Sequence, residues 1–151
     1  MAKVRDYVPP YAVMAHRGST FWAPEETESA WRWAREMGAD YLESDLQCTK
    51  DGVILANHDD NLKRTTNIEN VYSELVPATR KAFYMRHGMS EAEAEKLVEA
   101  DKASFRPYYA MSYMYEELLA LDAGSWFNET SIEQARESFS EQHQYLSLIH
   151  I

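Results

Sequence analysis

Three short segments in the first sixty residues, each carrying or followed by reactive polar side chains, constrain the fold of this chain more than any other feature. They predict three β-strands, over residues 11–15, 40–46 and 53–57. Apolar residues at helical spacing predict an α-helix over 26–37, between the first two strands. A strand, a helix and a second strand in this order favour parallel pairing through a right-handed crossover. Only a short loop with the turn pair Asp51-Gly52 separates the second and third strands, which leaves no room for another helix.

The sequence after residue 66 lacks strand alternation and is predicted to be mainly helical. Ser90 and Glu93 match a capping box, which predicts a helix that extends to about Lys102. Further helices are predicted over 115–121 and 132–139.

Composition excludes several classes of protein. A chain of 151 residues that is 45% hydrophobic suits one domain with a core. Its net charge of −10 disfavours nucleic acid and anionic membranes as partners, and no apolar run approaches the roughly 18 residues of a membrane span. A single cysteine, Cys48, excludes an internal disulfide and a cysteine zinc cluster. With Met1 as the start there is no secretory signal, so we expect a cytoplasmic protein without a stable membrane anchor.

Glu43 and Asp45 stand two residues apart in the second predicted strand, so their side chains are expected on one face. Adjacent carboxylates repel each other unless a cation or a proton lies between them. Oxygen ligands of this kind suit Mg²⁺ or Ca²⁺. The alternative is a solvent-facing strand edge, and Leu42 and Leu46 on the opposite face are consistent with either interpretation.

His16 and His58 each follow a predicted strand, and both could act as an acid–base pair because histidine titrates near neutral pH. A lone histidine more often has a structural role, but two at successive strand ends around a carboxylate pair favour function. Arg17 offers a fork of donors that fits phosphate oxygens, with a surface salt bridge as the alternative. Gly18 would let the backbone approach a ligand closely.

These residues occur in an ordered series of motifs that resembles the glycerophosphodiester phosphodiesterase family. The resemblance covers roughly residues 11–66. The matching stretches are AHRG at 15–18, PEET at 24–27, GADYLESDLQCTKDG at 38–52 and HDDNLKRTT at 58–66. A weaker match, LDAGSW at 121–126, follows an apparent insertion.

The resemblance implies an α/β fold of the TIM-type (β/α)8 barrel and hydrolysis of a small-molecule glycerophosphodiester to glycerol 3-phosphate and an alcohol. It implies Ca²⁺ or Mg²⁺ as cofactor. Glu26 stands where the family often has Asn, which puts the helper role of that position in question. The roles that the resemblance assigns are acid–base catalysis for His16 and His58, phosphate binding for Arg17, metal ligation for Glu43 and Asp45, and metal or substrate support for Glu25.

A complete barrel of this kind takes about 250 residues, and no counterpart of the family's third metal carboxylate is found in this sequence. We therefore expect an N-terminal fragment with an open strand edge and an exposed apolar face. The alternatives are a sphingomyelinase D-like phospholipase, which shares the arrangement of histidines and carboxylates, and a catalytically inert fragment. The expected divisions are 1–74 for the first barrel elements, 75–115 for a helical insertion, 116–144 for an incomplete continuation of the barrel and 145–151 for a non-native tail.

Overall fold

The computed structural model describes residues 8–129, which begin with a β–α–β unit. Strand β1 (Met14–His16) and strand β2 (Tyr41–Glu43) pair in parallel, and helix α1 (Glu28–Glu36) connects them. The predicted parallel crossover is therefore confirmed, although β1 begins three residues later than predicted and α1 is shorter at both ends. The parallel register brings the carboxyl ends of β1 and β2 to the same edge.

The start of α1 is determined by the side chain of Thr27, the residue before its first turn. Its Oγ1 accepts a hydrogen bond from the backbone N–H of Ala30 at 3.3 Å and donates one to the carbonyl of Pro24 at 2.7 Å. Ala30 and Ala34 are buried, as the apolar spacing predicts, whereas Met37 at the end of the same face is 59% exposed. Two small residues on the buried face allow α1 to lie close against the loop that follows β1.

The single strand predicted over 40–46 is wrong, because the chain forms two strands there. After β2, the backbone leaves the first sheet and continues as β3 (Leu46–Cys48). At the break, the carboxylate of Glu26 accepts hydrogen bonds from the backbone N–H of Asp45 and from the hydroxyl of Ser44. The side chain of Glu26 thus accepts the hydrogen bond that the N–H of Asp45 would donate to a neighbouring strand in a sheet. Asp45 therefore lies outside any strand, and the argument that strand alternation places it on one face with Glu43 is also wrong.

Strand β3 pairs with β4 (Ile54–Ala56) in an antiparallel hairpin, so the carboxyl end of the third predicted strand does not join a common parallel edge. The turn is closed by hydrogen bonds in both directions between Thr49 and Val53, each 2.9 Å long. The chain nevertheless returns to the break after β2, because the N–H of Asn57 donates to the carbonyl of Asp45 at 3.1 Å.

After β4, the regular elements of the described chain are helices joined by loops. The capping box predicted at Ser90 is present, and the helix that it begins extends two residues beyond the predicted end. The helix predicted over 115–121 ends earlier, at Leu118. The helix predicted over 132–139 and the tail at 145–151 lie outside the described residues. The helices are α2 (Ile68–Val71), α3 (Arg80–Arg86), α4 (Glu91–Ser104), α5 (Tyr115–Leu118) and α6 (Trp126–Glu129), with a 3₁₀ turn at Ala110–Ser112.

The main core lies between the β3–β4 hairpin and the segments that follow it, and its largest apolar members are Leu55, Leu62, Ile68, Tyr113, Leu118 and Leu121. In contrast, several apolar side chains in and beside the strands are about half exposed or more; these are Val13, Met14, Leu42 and Leu46. None of the helices within residues 8–129 has the length and apolar character needed to cross a bilayer.

Candidate functional site

Arg17, directly after β1, is the centre of a group of three carboxylates. Its backbone N–H donates to Oε2 of Glu43 at 3.1 Å, and its Nη1 donates to Oε1 of Glu25 at 3.3 Å. Its Nε forms an ion pair with Oδ2 of Asp45 at 3.1 Å. The side chain is 19% exposed. Backbone and guanidinium together thus gather carboxylates from two different segments at the end of β1.

The ion pair between Arg17 and Asp45 does not complete a hydrogen bond. Within the described residues, Nε of Arg17 and Oδ2 of Asp45 are both buried without a hydrogen-bond partner. Buried polar atoms are rarely left unpaired in native proteins. These two atoms, one a cationic donor and one an anionic acceptor, therefore face each other as an ion pair without an aligned hydrogen bond.

The loop that presents Arg17 is held against α1 by a close contact at Gly18. Gly18 has a φ of +86°, and a Cβ atom there would lie 2.7 Å from Cβ of Ala30. Next to it, the N–H of Ser19 donates to the carbonyl of Ala30 at 2.9 Å. Gly18 thus allows a close approach to the helix, and this contact positions Arg17 indirectly.

His16 lies at one side of this group. Its Nε2 is 4.0 Å from Oε2 of Glu43, beyond hydrogen-bond distance, and its side chain is 69% exposed. The register of the parallel pair, in which His16 stands opposite Glu43, brings the two residues together.

His58, which follows β4, contacts a carboxylate of its own. Its Nδ1 lies 2.5 Å from Oδ1 of Asp59. Asp59 in turn accepts a hydrogen bond at 2.7 Å from Nε of Arg64. The hydrogen bond from Arg64, with a smaller contribution from His58, lowers the pKa of Asp59 to about 2 despite its partial burial. Asp59 is therefore ionised at neutral pH and keeps His58 oriented through Nδ1.

Arg64 joins the two halves of the site, because it binds both Asp59 and Glu25. Its Nη2 donates to Oε1 of Glu25 at 2.7 Å and its Nη1 donates to Oε2 at 3.1 Å. Burial alone would raise the pKa of Glu25, but the hydrogen bonds and charges of Arg64 and Arg17 lower it. A continuous series of polar contacts therefore connects all the predicted site residues, which are His16, Arg17, Glu25, Glu43, Asp45 and His58.

Three residues of this network were not assigned a role from the sequence: Glu26, Asp59 and Arg64. Asp59 and Arg64 lie within the family-like stretch at 58–66, so their charges close to His58 in the sequence could have indicated that they contact it. Glu26 is 4% exposed. Burial raises its pKa, hydrogen bonds from Ser44 and from the backbone of Asp45 oppose this, and the nearby carboxylates add to the rise.

The carboxylates suit a hard divalent cation in kind but are too few to enclose one. Within residues 8–129, no three side chains of His, Cys, Asp or Glu are grouped closely enough to hold a metal ion. Glu43 and Asp45 both contact Arg17, and Oδ2 of Asp45 has no hydrogen-bond partner within the described residues. Carboxylate oxygens of this type fit Mg²⁺ or Ca²⁺, so the two residues fit part of such a site.

Comparison with known proteins connects this arrangement to one family. Residues 16–149 match the model of the "Glycerophosphoryl diester phosphodiesterase family". A glycerophosphodiester phosphodiesterase of Bacillus subtilis is 32% identical over 126 residues, which are 83% of this chain and 30% of that protein. The chain thus spans less than a third of the length of this relative. The sphingomyelinase D-like alternative is not favoured by these matches.

Two solved structures resemble the chain. A glycerophosphodiester phosphodiesterase from Agrobacterium tumefaciens is 25% identical with a TM-score of 0.54, over 91% of this chain and 39% of that one. A phosphodiesterase from Oleispira antarctica is 23% identical with a TM-score of 0.58, over 96% of this chain and 38% of that one. Such enzymes have the TIM-barrel fold, and the α/β structure described above resembles part of it.

Proposed function

Because the chain belongs to the glycerophosphoryl diester phosphodiesterase family, we propose that it carries acid–base and phosphate-binding groups of a metal-dependent phosphoric diester hydrolase. The substrate is a glycerophosphodiester, and the products are glycerol 3-phosphate and an alcohol. The observation that carries the proposal is the contact network around Arg17, which connects two histidines with the carboxylates between them. The Oleispira antarctica phosphodiesterase was solved in complex with the product sn-glycerol-3-phosphate, which supports this substrate class.

Arg17 binds the phosphate in this proposal. Its buried Nε has no hydrogen-bond partner within the described residues, so a phosphate oxygen would satisfy it. Hydrogen bonds between guanidinium and phosphate are charge-assisted and stronger than neutral ones. Glu25 supports this role, since it contacts both Arg17 and Arg64 and limits the movement of the guanidinium.

His16 and His58 exchange protons with the substrate. With Nδ1–H of His58 donated to Asp59, Nε2 is the nitrogen that takes up or releases a proton. One imidazole accepts a proton from the attacking water as the water oxygen bonds to phosphorus. The other donates a proton to the alkoxide as the bond between phosphorus and the alcohol oxygen breaks. Overall one water is consumed, and both histidines regain their starting protonation after the products leave.

Glu43 and Asp45 would be the residues that hold the metal. When bound, Mg²⁺ or Ca²⁺ supplies Lewis-acid stabilisation of the negative charge on the phosphoryl oxygens. Arg17 already balances the two carboxylates in part, through its backbone N–H and its Nε.

The same proposal treats residues 75–115 as a helical insertion between family segments at 1–74 and 116–144. Helices α3 and α4 of this segment contact each other extensively. Arg80 of α3, which is fully buried, connects Asp101 of α4 with Glu117 of α5 through hydrogen bonds of 2.6–2.9 Å. This buried cluster would hold the insertion in place against the segment that resumes the family pattern.

The test is release of glycerol 3-phosphate from glycerophosphocholine by protein expressed from the full reading frame that contains this chain, with Mg²⁺, Ca²⁺ or EDTA. His16→Ala and His58→Ala should each lower turnover by about 10²- to 10⁴-fold. The matched control is His87→Ala, since His87 stacks on Phe83 in α3, outside the network. The control should retain full turnover.

The metal assignment is tested separately by calorimetric titration of Mg²⁺ and Ca²⁺. Glu43→Ala and Asp45→Ala should each weaken binding, because every ligand carboxylate removed lowers the affinity of an oxygen site. Unchanged affinity in both variants would place the metal elsewhere. Absence of hydrolysis under all metal conditions would contradict the activity itself.

A further inference from the structure

Glu26 connects three parts of the site although neither the family motif nor its charge predicts this. Its backbone N–H donates to the carbonyl of Arg17 at 3.1 Å. Its Oε1 accepts from the N–H of Asp45 at 2.8 Å, and its Oε2 accepts from the hydroxyl of Ser44 at 2.6 Å. One residue therefore joins the loop after β1 to the break between β2 and β3.

This arrangement is costly for the folded protein. Glu26 is 4% exposed, and among residues 8–129 it forms no ion pair. Burying a carboxylate without a cationic partner is unfavourable by several kcal/mol unless hydrogen bonds compensate. Its backbone is also in the left-handed region, with a φ of +58°, which is uncommon for a residue other than glycine. Strained and buried polar residues of this kind are concentrated at functional sites.

The hydrogen bonds of Glu26 determine where the strand breaks. The N–H of Asp45 needs an acceptor, and Glu26 supplies it in place of a neighbouring strand. Without it, the alternating pattern of 40–46 favours the continuous strand that the sequence predicts. With it, the chain turns after Glu43, and the side chain of Asp45 meets Nε of Arg17.

We propose that Glu26 is a positioning residue that holds the Ser44–Asp45 bend, and so keeps the carboxylates of Glu43 and Asp45 together on Arg17 for cation binding. Glu26 acts through hydrogen-bond acceptance and is not itself a ligand. Only the statement that these carboxylates bind a cation rests on the proposed function. The role of Glu26 in holding the bend can be tested without metal or substrate.

The first experiment is hydrogen exchange of the Asp45 amide, followed by NMR without metal. Glu26→Ala should accelerate exchange by about 10- to 100-fold, since it removes a hydrogen bond to a charged acceptor. Glu26→Gln keeps an acceptor oxygen at the same reach and should stay within about threefold of the wild type. The matched control is Glu28→Ala, because Glu28 lies two residues along and is 77% exposed in a surface pair with Arg32.

The second experiment is calorimetric titration of the same variants with Mg²⁺ and Ca²⁺. Loss of a residue that orients metal ligands typically lowers affinity by about 10- to 100-fold, and we expect this for Glu26→Ala but not for Glu26→Gln or Glu28→Ala. Equal losses in the Ala and Gln variants would overturn the proposal, because the charge of Glu26 would then matter rather than its acceptor. Unchanged exchange and affinity in Glu26→Ala would overturn it as well.

Should Glu26→Ala fail to fold, Ser44→Ala takes its place. That variant removes the hydroxyl bond to Glu26 and the longer one, of 3.4 Å, to the carbonyl of Asp45, and both the exchange rate and the metal affinity should change by about threefold or more. No change in either would overturn the proposal. A wild-type protein that shows these differences but hydrolyses no glycerophosphodiester would contradict the proposed function and leave the positioning role standing.

Discussion

Gly18→Ala is expected to destabilise the protein because of one contact between the loop after β1 and helix α1. A Cβ atom at Gly18 would lie 2.7 Å from Cβ and 2.9 Å from the backbone carbonyl carbon of Ala30. Neither atom belongs to a flexible side chain, so the helix or the loop must move by several tenths of an ångström. Gly18 also has a φ of +86°, which disfavours every residue with a Cβ.

The magnitude follows from these two effects. Placing an L-residue in the left-handed region costs about 1–2 kcal/mol, and overpacking a tight contact costs about 1–3 kcal/mol more. Gly18→Ala should therefore lower the free energy of unfolding by about 2–5 kcal/mol. Gly38→Ala is the matched control, because Gly38 has a φ of +84° but nothing within 4 Å of the added methyl group. It should cost about 1–2 kcal/mol.

Urea unfolding of both variants, monitored by tryptophan fluorescence, measures the difference. Turnover provides a second measurement, since Arg17 precedes Gly18 and its backbone N–H contacts Glu43. Misplacement by about 1 Å can lower a rate by roughly 10²-fold, so Gly18→Ala should lose activity while Gly38→Ala keeps it. Equal losses of stability in the two variants would refute the packing argument, because only backbone conformation would then contribute.

The other predictions concern ion pairs and one helix cap. Arg64→Ala should return the pKa of Asp59 from about 2 towards its ordinary value of 3.8. In the wild type, the stabilisation of the folded state by this carboxylate is present above pH 3.8 and is lost as the pH falls towards 2. An NMR titration of the variant in which Asp59 still titrates near 2 would contradict this prediction. Arg80→Met should destabilise by about 3–5 kcal/mol in urea unfolding, since it leaves the buried carboxylate of Glu117 without a cation and Asp101 with Lys50 as its remaining one. Arg86→Ala, which removes an exposed pair, is its control and should cost at most about 1 kcal/mol. Ser90→Ala should cost about 0.5–2 kcal/mol because it removes the capping box of α4, and an unchanged unfolding midpoint would argue that α4 does not depend on its cap.

Features that depend on neighbouring residues in the chain were predictable. The crossover from β1 through α1 to β2 follows from apolar spacing, and the start of α4 follows from Ser90 and Glu93. Each is decided within one or two helical turns, where a few local hydrogen bonds and one apolar face are sufficient. The pairing of β3 with β4 was anticipated only as a short loop without a helix. The break that separates β3 from β2 involves the carboxylate of Glu26, which lies far from Asp45 in the sequence.

The residues of the candidate site could be named from the sequence, but the contacts that join them could not. His16, Arg17, Glu43, Asp45 and His58 are reactive residue types at predicted strand ends, and the structure brings them into one contact network. The way in which they are joined could not be predicted. The residues that connect them are Glu26, Asp59 and Arg64. The positions of these side chains are fixed only when separate loops pack together.

The sequence by itself therefore determined the β–α–β start, the family and the chemical character of the site, because these depend on residue type and local spacing. Only the tertiary structure decided where the second predicted strand breaks and which carboxylates contact Arg17. Glu26 contacts the backbone at the break and Arg64 contacts Glu25, and these partners lie 19 and 39 residues away in the chain. Local patterns carry no information about such contacts, since a hydrogen bond to a distant backbone or side chain forms only after the surrounding elements have packed and excluded water.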